Sequence, residues 1–176
     1  MSDREGTGVT AFDLWDATEE APGEVRRCIL FQACDEWFGL PIEWVREIQP
    51  LERITRVPNA PADLLGIMNL RGRVLALYDL AGSLGIPRGT QPNTHVVVLD
   101  FADPEVNVGL VAQRIAQVRE IPVSAIEPPP PREGGAAGLE GICDLDGQVV
   151  GLLDLARLFG RYLAEWGVVL EARGAA

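Results

Sequence analysis

The chain contains no lysine: fifteen arginines stand against 26 aspartates and glutamates, for a formal net charge of −11 over 176 residues. So acidic a chain lacks the phosphate-neutralising surface that supplies most affinity for nucleic acid or anionic membrane. A local arginine patch still suits an acidic partner protein. No apolar run approaches the about 18–20 residues of a membrane span; the strongest, Val96-Val97-Val98-Leu99, is far shorter, so no membrane insertion is expected. The opening MSDREGTG has no basic start followed by an apolar segment, which points away from a secretory signal and toward the cytoplasm. Cys28, Cys34 and Cys143 are odd in number and form no CxxC spacing, as expected of reduced, partly buried thiols. The one histidine, His95, begins a strand-like run without a partnered serine or cysteine motif. There is no GxSxG, HExxH, Walker loop, GxGxxG or Asp-x-Asp-x-Asp-Gly sequence. The chain therefore reads as a non-enzyme with no catalytic residue, cofactor or metal site assigned.

What is present is a repeat. Residues 67–85, IMNLRGRVLALYDLAGSLG, return 75 positions later as ICDLDGQVVGLLDLARLFG, with nine of nineteen positions identical. The shared residues are those a fold needs: Leu70/Leu145, Gly72/Gly147, Val74/Val149, Leu77/Leu152 and the Asp-Leu-Ala triplets at Asp79 and Asp154. Upstream, Val45-Arg46-Glu47-Ile48 recurs as Val118-Arg119-Glu120-Ile121, and Gly39-Leu40 as Gly109-Leu110. The copies differ at the turn, where Arg71 becomes Asp146. Features kept by both copies read as architecture; a feature carried by one is free to serve function.

Each unit reads as a hairpin, a Val-Arg-Glu-Ile segment, a loop, a second hairpin and a short helix. Hairpins are expected on either side of Asp35-Glu36, Arg71-Gly72 and residues 102–105, with another β-like run over residues 54–57 and a helical turn over residues 62–65. Asp79 and Asp154, each followed by Leu-Ala, read as helix N-caps rather than paired catalytic carboxylates. Gly72 and Gly147 read as turn residues. Residues 128–131 are four prolines; a connecting loop explains them better than a polyproline ligand, since Pro58 and Pro61 occupy the corresponding place in the first copy. Residues 1–25 form an acidic, mobile arm around Phe12, Leu14 and Trp15, with a short interaction helix as the sharper alternative. Leu163, Trp166 and Leu170, three and four apart, predict an amphipathic helix in residues 161–171. Short strands, glycine turns and small helices argue for an all-β fold of two small barrels sharing a seam.

Gly66-Ile67-Met68-Asn69-Leu70-Arg71-Gly72-Arg73-Val74, continuing to Asp79-Leu80 and Leu84-Gly85, closely resembles the core signature of CheW-like chemotaxis adaptor domains. Phe38-Gly39-Leu40-Pro41-Ile42 and Val45-Arg46-Glu47-Ile48 match it in order and spacing, so the resemblance covers about residues 26–160. It implies two SH3-like five-stranded β-barrel subdomains around a shared apolar core, with short helices and a C-terminal helix. The expected organisation is an arm at 1–25, one domain at 26–161 and a helix or tail at 162–176. Within the domain the subdomains divide near 26–89 and 90–161, with strands free to cross over. The resemblance further implies a scaffold that couples the cytoplasmic tip of a chemoreceptor to the regulatory domain of a histidine kinase, and that meets other CheW-like adaptors.

By the same resemblance, Arg71 and Glu47 lie in the receptor-binding region. A surface ion pair alone, worth about 0–1 kcal/mol, is a weak reason to place arginine there; its planar fork suits carboxylates at an interface. Val45 and Ile48 fit either the core or an apolar groove that accepts a receptor helix. An adaptor of another pathway, such as surface motility or development, keeps the same fold. A ligand-binding or hydrolytic barrel is the reading from a different class.

Overall fold

The computed structural model describes residues 23–131 and 138–167. The expected arm with Phe12, Leu14 and Trp15, the Arg132 to Gly135 stretch and Leu170 lie outside the described residues. Ten strands run in chain order: β1 Val25–Ala33, β2 Glu36–Pro41, β3 Val45–Pro50, β4 Leu64–Leu70, β5 Arg73–Tyr78, β6 His95–Leu99, β7 Val108–Ala112, β8 Arg114–Pro122, β9 Leu139–Leu145 and β10 Gln148–Leu153. Among the described residues, three short α-helices, α1 Leu80–Leu84, α2 Leu155–Leu158 and α3 Gly160–Trp166, and two 3-10 turns, Ile42–Trp44 and Val123–Ala125, complete the fold. The protein is thus mostly β.

The strands form two five-stranded sheets, ordered β8-β1-β2-β10-β9 and β3-β6-β7-β5-β4. Replacing each strand by its repeat counterpart turns one order into the other. Each sheet takes its hairpin from one copy (β1–β2 or β6–β7) and its remaining three strands from the other. The copies therefore exchange hairpins, and a division at residues 89 and 90 does not follow the sheets. The exchange is sealed by parallel pairs, Gly151 opposite Phe38 and Leu77 opposite Gly109. Parallel neighbours need a long crossover, which the exchanged repeat supplies.

Neither sheet closes into a barrel through a continuous ladder. The outer strands β3 and β8 both end on proline, Pro50 and Pro122, which lacks the N–H needed to extend pairing. Each gap is spanned at one point, by Thr55 paired with Ile67 and by Glu127 paired with Ile142, through reciprocal 2.8 Å backbone hydrogen bonds. The expected strand over residues 54–57 is reduced to the Thr55 bridge. The expected helical turn over residues 62–65 gives way to β4, because Leu64 pairs with Tyr78.

Side-chain alternation feeds three cores. Along β1, Cys28 and Leu30 enter a cluster with Ile121, Cys143, Val150 and Leu152 inside their own sheet, whereas Ile29, Phe31 and Ala33 face the seam. Along β6, Val96 and Val98 join Met68, Leu75, Leu77 and Val111, whereas Val97 and Leu99 face the same seam. This explains the unbroken apolar run at Val96: the strand is buried on both faces. Backbone approach is tight at repeat-related glycines. A Cβ on Gly39 would lie 2.7 Å from Leu152 Cδ2, and one on Gly109 would lie 2.4 Å from Val96 Cγ1.

Helix α3 locks onto the seam. Tyr162 and Trp166 stack with centroids 5.4 Å apart, and Trp166 also packs against Phe101 and Phe159. Tyr162 is buried, so α3 packs against the rest of the fold. The helix is anchored by Asp63, itself only 2% exposed. Asp63 accepts a 2.9 Å hydrogen bond from the Tyr162 hydroxyl and pairs with Arg161.

Candidate functional site

The tight turn between β4 and β5 puts Arg71 and Gly72 at the sheet edge. Both have left-handed backbones, φ +53° and +83°, the conformation of a two-residue type I′ hairpin turn. Asn69 Oδ1 accepts the Gly72 N–H at 2.8 Å and fastens the turn. Glycine adopts such a φ freely; arginine carries a Cβ that clashes, at a cost of about 1–2 kcal/mol. Nothing about turn formation selects arginine at this point.

Arg71 Nη2 lies 2.8 Å from Glu47 Oε2 on β3, and Gln49 Nε2 donates to the same oxygen at 2.8 Å. The Arg71 side chain remains 72% exposed, against 24% for Glu47, so one face of the guanidinium is open to a partner. The two residues line a cleft of about 250 Å³ together with Arg46, Leu70, Arg73, Val74, Leu75 and Asn107. Arg46 Nη1 donates to Asn107 Oδ1 and Arg73 Nη1 to the Pro104 carbonyl, each at 3.2 Å; both acceptors are neutral. Three guanidiniums thus face one carboxylate, a positive site on a strongly acidic chain. Val74, 61% exposed, adds an apolar surface beside it.

Adjacent residues on a regular strand point to opposite faces, yet Arg46 and Glu47 both line the cleft. The pairing of β3 with β6 slips between Val45 and Glu47, and a β-bulge of this kind re-aims a side chain. In the second copy Arg119 stays in regular register opposite Cys28, and the slip falls elsewhere, toward Ile115. There the Asp146 turn, φ +58°, is fastened by Asp144 as its counterpart is by Asn69. Arg119 Nη2 reaches Asp146 Oδ2 at 3.1 Å. Both copies keep a turn-to-strand ion pair, but with opposite polarity: a cation on the first turn and an anion on the second.

Val45 and Ile48 are half-buried and pack against the seam core; they do not line the arginine cleft. Their repeat partners differ from them, Ile121 being fully buried and Val118 45% exposed. Asp79 accepts the Ala81 N–H at 3.2 Å at the start of α1, which Gly85 ends in a left-handed conformation. Asp154 accepts the Arg157 N–H at 3.1 Å at the start of α2. His95 Nδ1 lies 2.7 Å from the Thr94 hydroxyl. Burial pushes the Cys28 thiol up to about 12, burial followed by the Asp79 charge pushes Cys34 up to about 11, and burial raises Cys143 as well, which disfavours the thiolate at all three. Among the described residues no group of three His, Cys, Asp or Glu is placed to hold a metal.

Sequence reasoning missed Arg46, Arg73 and Asn107 as cleft residues and Asp63 as the helix anchor. A signal existed for Arg73, one residue past the turn glycine, whereas Asn107 comes from a distant loop. A second depression, about 370 Å³, lies on the other sheet and includes Asp35, Glu36, Trp37, Ile86, Pro129 and Pro130 in its wall.

Residues 27–162 match the family described as CheW-like domain. The chain is 31% identical over 142 residues to the probable chemotaxis protein CheW of Rhizobium etli, covering 80% of this chain and 91% of that protein. It is equally 31% identical over 134 residues to Protein FrzA of Myxococcus xanthus, covering 73% and 81%. Among solved structures it is similar to the scaffolding protein TtCheW of Thermoanaerobacter tengcongensis. That likeness has a TM-score of 0.65 and 29% identity, and covers 76% of this chain and 92% of the other.

Proposed function

Because the chain belongs to the CheW-like domain family, we propose that it is a non-enzymatic adaptor coupling chemoreceptors to a histidine kinase. The observation that carries the receptor half of this reading is Arg71. An arginine held at φ +53° on an exposed turn strains the fold without serving it, and strain of that kind is retained where function needs the side chain. Its open face, together with Arg46 and Arg73, suits an acidic receptor tip; Glu47 holds the guanidinium in place and Val74 offers apolar contact. Val45 and Ile48 support the site from beneath by packing β3 onto the seam.

The two sheets, each curled and bridged at one point, are read as SH3-like barrels around the shared seam. The barrel ends then meet the kinase regulatory domain or other CheW-like adaptors. The domain spans about residues 26–161, with residues 1–25 as an arm and residues 162–176 as the terminal helix and tail. None of the described helices is long and apolar enough to cross a membrane. On the adaptor reading the protein works in the cytoplasm, held at receptor arrays by protein contacts.

The polarity inversion supplies the test. In a pull-down with the cognate receptor tip, Arg71→Glu loses binding and Asp146→Arg retains it, with circular dichroism native for both. Equal behaviour of the two variants contradicts the assignment. Co-purification from the native organism identifies the receptor and kinase, and separates chemotaxis from another output such as surface motility or development.

A further inference from the structure

The arginine cleft has a candidate occupant within its own chain. The segment before the first described residue carries six carboxylates against one arginine, Arg4, and its apolar residues Phe12, Leu14 and Trp15 stand between Asp13, Asp16, Glu19 and Glu20. The cleft presents the complement: Arg46, Arg71 and Arg73, against the single carboxylate of Glu47, around Leu70 and the exposed Val74. An opposite-charge match with an apolar centre is the pattern of a docked acidic peptide. The other depression is less suitable, because Asp35 and Glu36 in its wall repel an acidic segment.

The reach is sufficient. Val25, where β1 starts, lies ten positions after Trp15, and ten extended residues span about 33–36 Å. A compact domain of this size has a radius of gyration of roughly 14 Å, so the segment can reach across much of its surface.

We propose that residues 11–20 fold back onto the arginine cleft of the same chain and compete there with the receptor. The competition rests on reading the cleft as the receptor site; the contact itself does not. An arm bound two-thirds of the time leaves one-third of the molecules competent, and weakens receptor binding about threefold.

The experiment compares nitrogen-15 spectra of the full chain with those of the Asp13→Arg/Asp16→Arg double variant and the Trp15→Ala variant. Amide shifts should change at Arg46, residues 71–75 and Asn107, independently of protein concentration. About 0.5 M salt should reproduce the change in the wild-type chain by screening the ion pairs. The receptor-tip Kd of the double variant should fall about threefold. Shift changes confined to residues 1–22, or centred on Asp35 and Trp37, overturn the proposal. Concentration-dependent changes overturn it as well, by assigning the arm to a second copy. If Arg71→Glu abolishes receptor binding while the arm variants leave the cleft spectra unchanged, the arm proposal fails and the receptor reading stands. If the cleft shifts change but Arg71→Glu still binds receptor, the competition is refuted and the receptor reading fails.

Discussion

Replacing Arg71 by asparagine separates what the turn needs from what the site does. Asn-Gly is the favoured pair for a type I′ hairpin turn, since asparagine tolerates the left-handed backbone that Arg71 holds at φ +53°. Relief of that strain is worth about 1 kcal/mol, at the low end of the cost for a residue with a Cβ. Against it stands the loss of the ion pair to Glu47, in which Arg71 is 72% exposed, so solvent screening limits the pair to about 0–1 kcal/mol. Glu47 keeps its hydrogen bond from Gln49 and is not stranded. Arg71→Asn is therefore expected to leave stability unchanged or raise it by up to about 1 kcal/mol, a gain of about 2–4 °C in Tm at most for a domain of this size. Receptor-tip affinity is expected to fall about tenfold or more, the loss of one charge-assisted hydrogen bond at an interface. Urea denaturation and a binding titration on the same preparation read both quantities. A variant destabilised by more than about 1 kcal/mol would show that Arg71 is a structural residue, and unchanged affinity would show that the cleft is not the receptor site.

Three further outcomes follow from the packing. Asp63→Ala leaves the buried Tyr162 hydroxyl without its 2.9 Å partner and should cost about 1–3 kcal/mol, against about 1 kcal/mol for Tyr162→Phe; denaturation midpoints within error of wild type for both would mean that α3 is not anchored there. The Asp35 carboxyl is held below its ordinary value, first by the Thr90 N–H and then by the Thr90 hydroxyl and Gln113. Its stabilising effect should be complete above the unfolded value of about 4 and disappear as pH falls through the lower folded value, so Asp35→Asn should flatten the acid limb of urea midpoints measured from pH 6 to 2.5; an unaltered limb would remove Asp35 as its source. Gly109→Ala pushes a methyl to within 2.4 Å of Val96 Cγ1 and should cost about 1–3 kcal/mol by calorimetry; a neutral result would mean that the interior of that sheet yields.

The repeat and its hairpins were legible because they depend on local pattern: glycine turns, apolar alternation and Asp-Leu-Ala caps. Crossing of strands between the subdomains was allowed for by the resemblance, but which strands exchange was not legible, and the repeat itself is the reason. Phe38-Gly39-Leu40 presents the same kind of edge to β5 as to β10, so sequence pattern does not choose between its own copy and the other. Val-Arg-Glu-Ile is identical in both copies, yet a bulge brings Glu47 to the turn in one and regular register brings Arg119 to it in the other. The sign of the turn residue, Arg71 or Asp146, was visible; the strand residue answering it depends on a register slip that four identical residues cannot encode. Asp63 was hidden because Pro-Ala-Asp-Leu-Leu resembles a helical turn, and its partners lie a hundred residues away in α3.

The adaptor reading requires one chain to hold receptor and kinase together. Sedimentation velocity on a mixture of this protein, the cognate receptor tip and the kinase regulatory domain measures that directly. A complex containing all three is predicted, with Arg71→Glu releasing the receptor tip alone and leaving the kinase domain bound. Mutually exclusive binding of receptor and kinase, or loss of both with Arg71→Glu in a natively folded chain, would contradict the account.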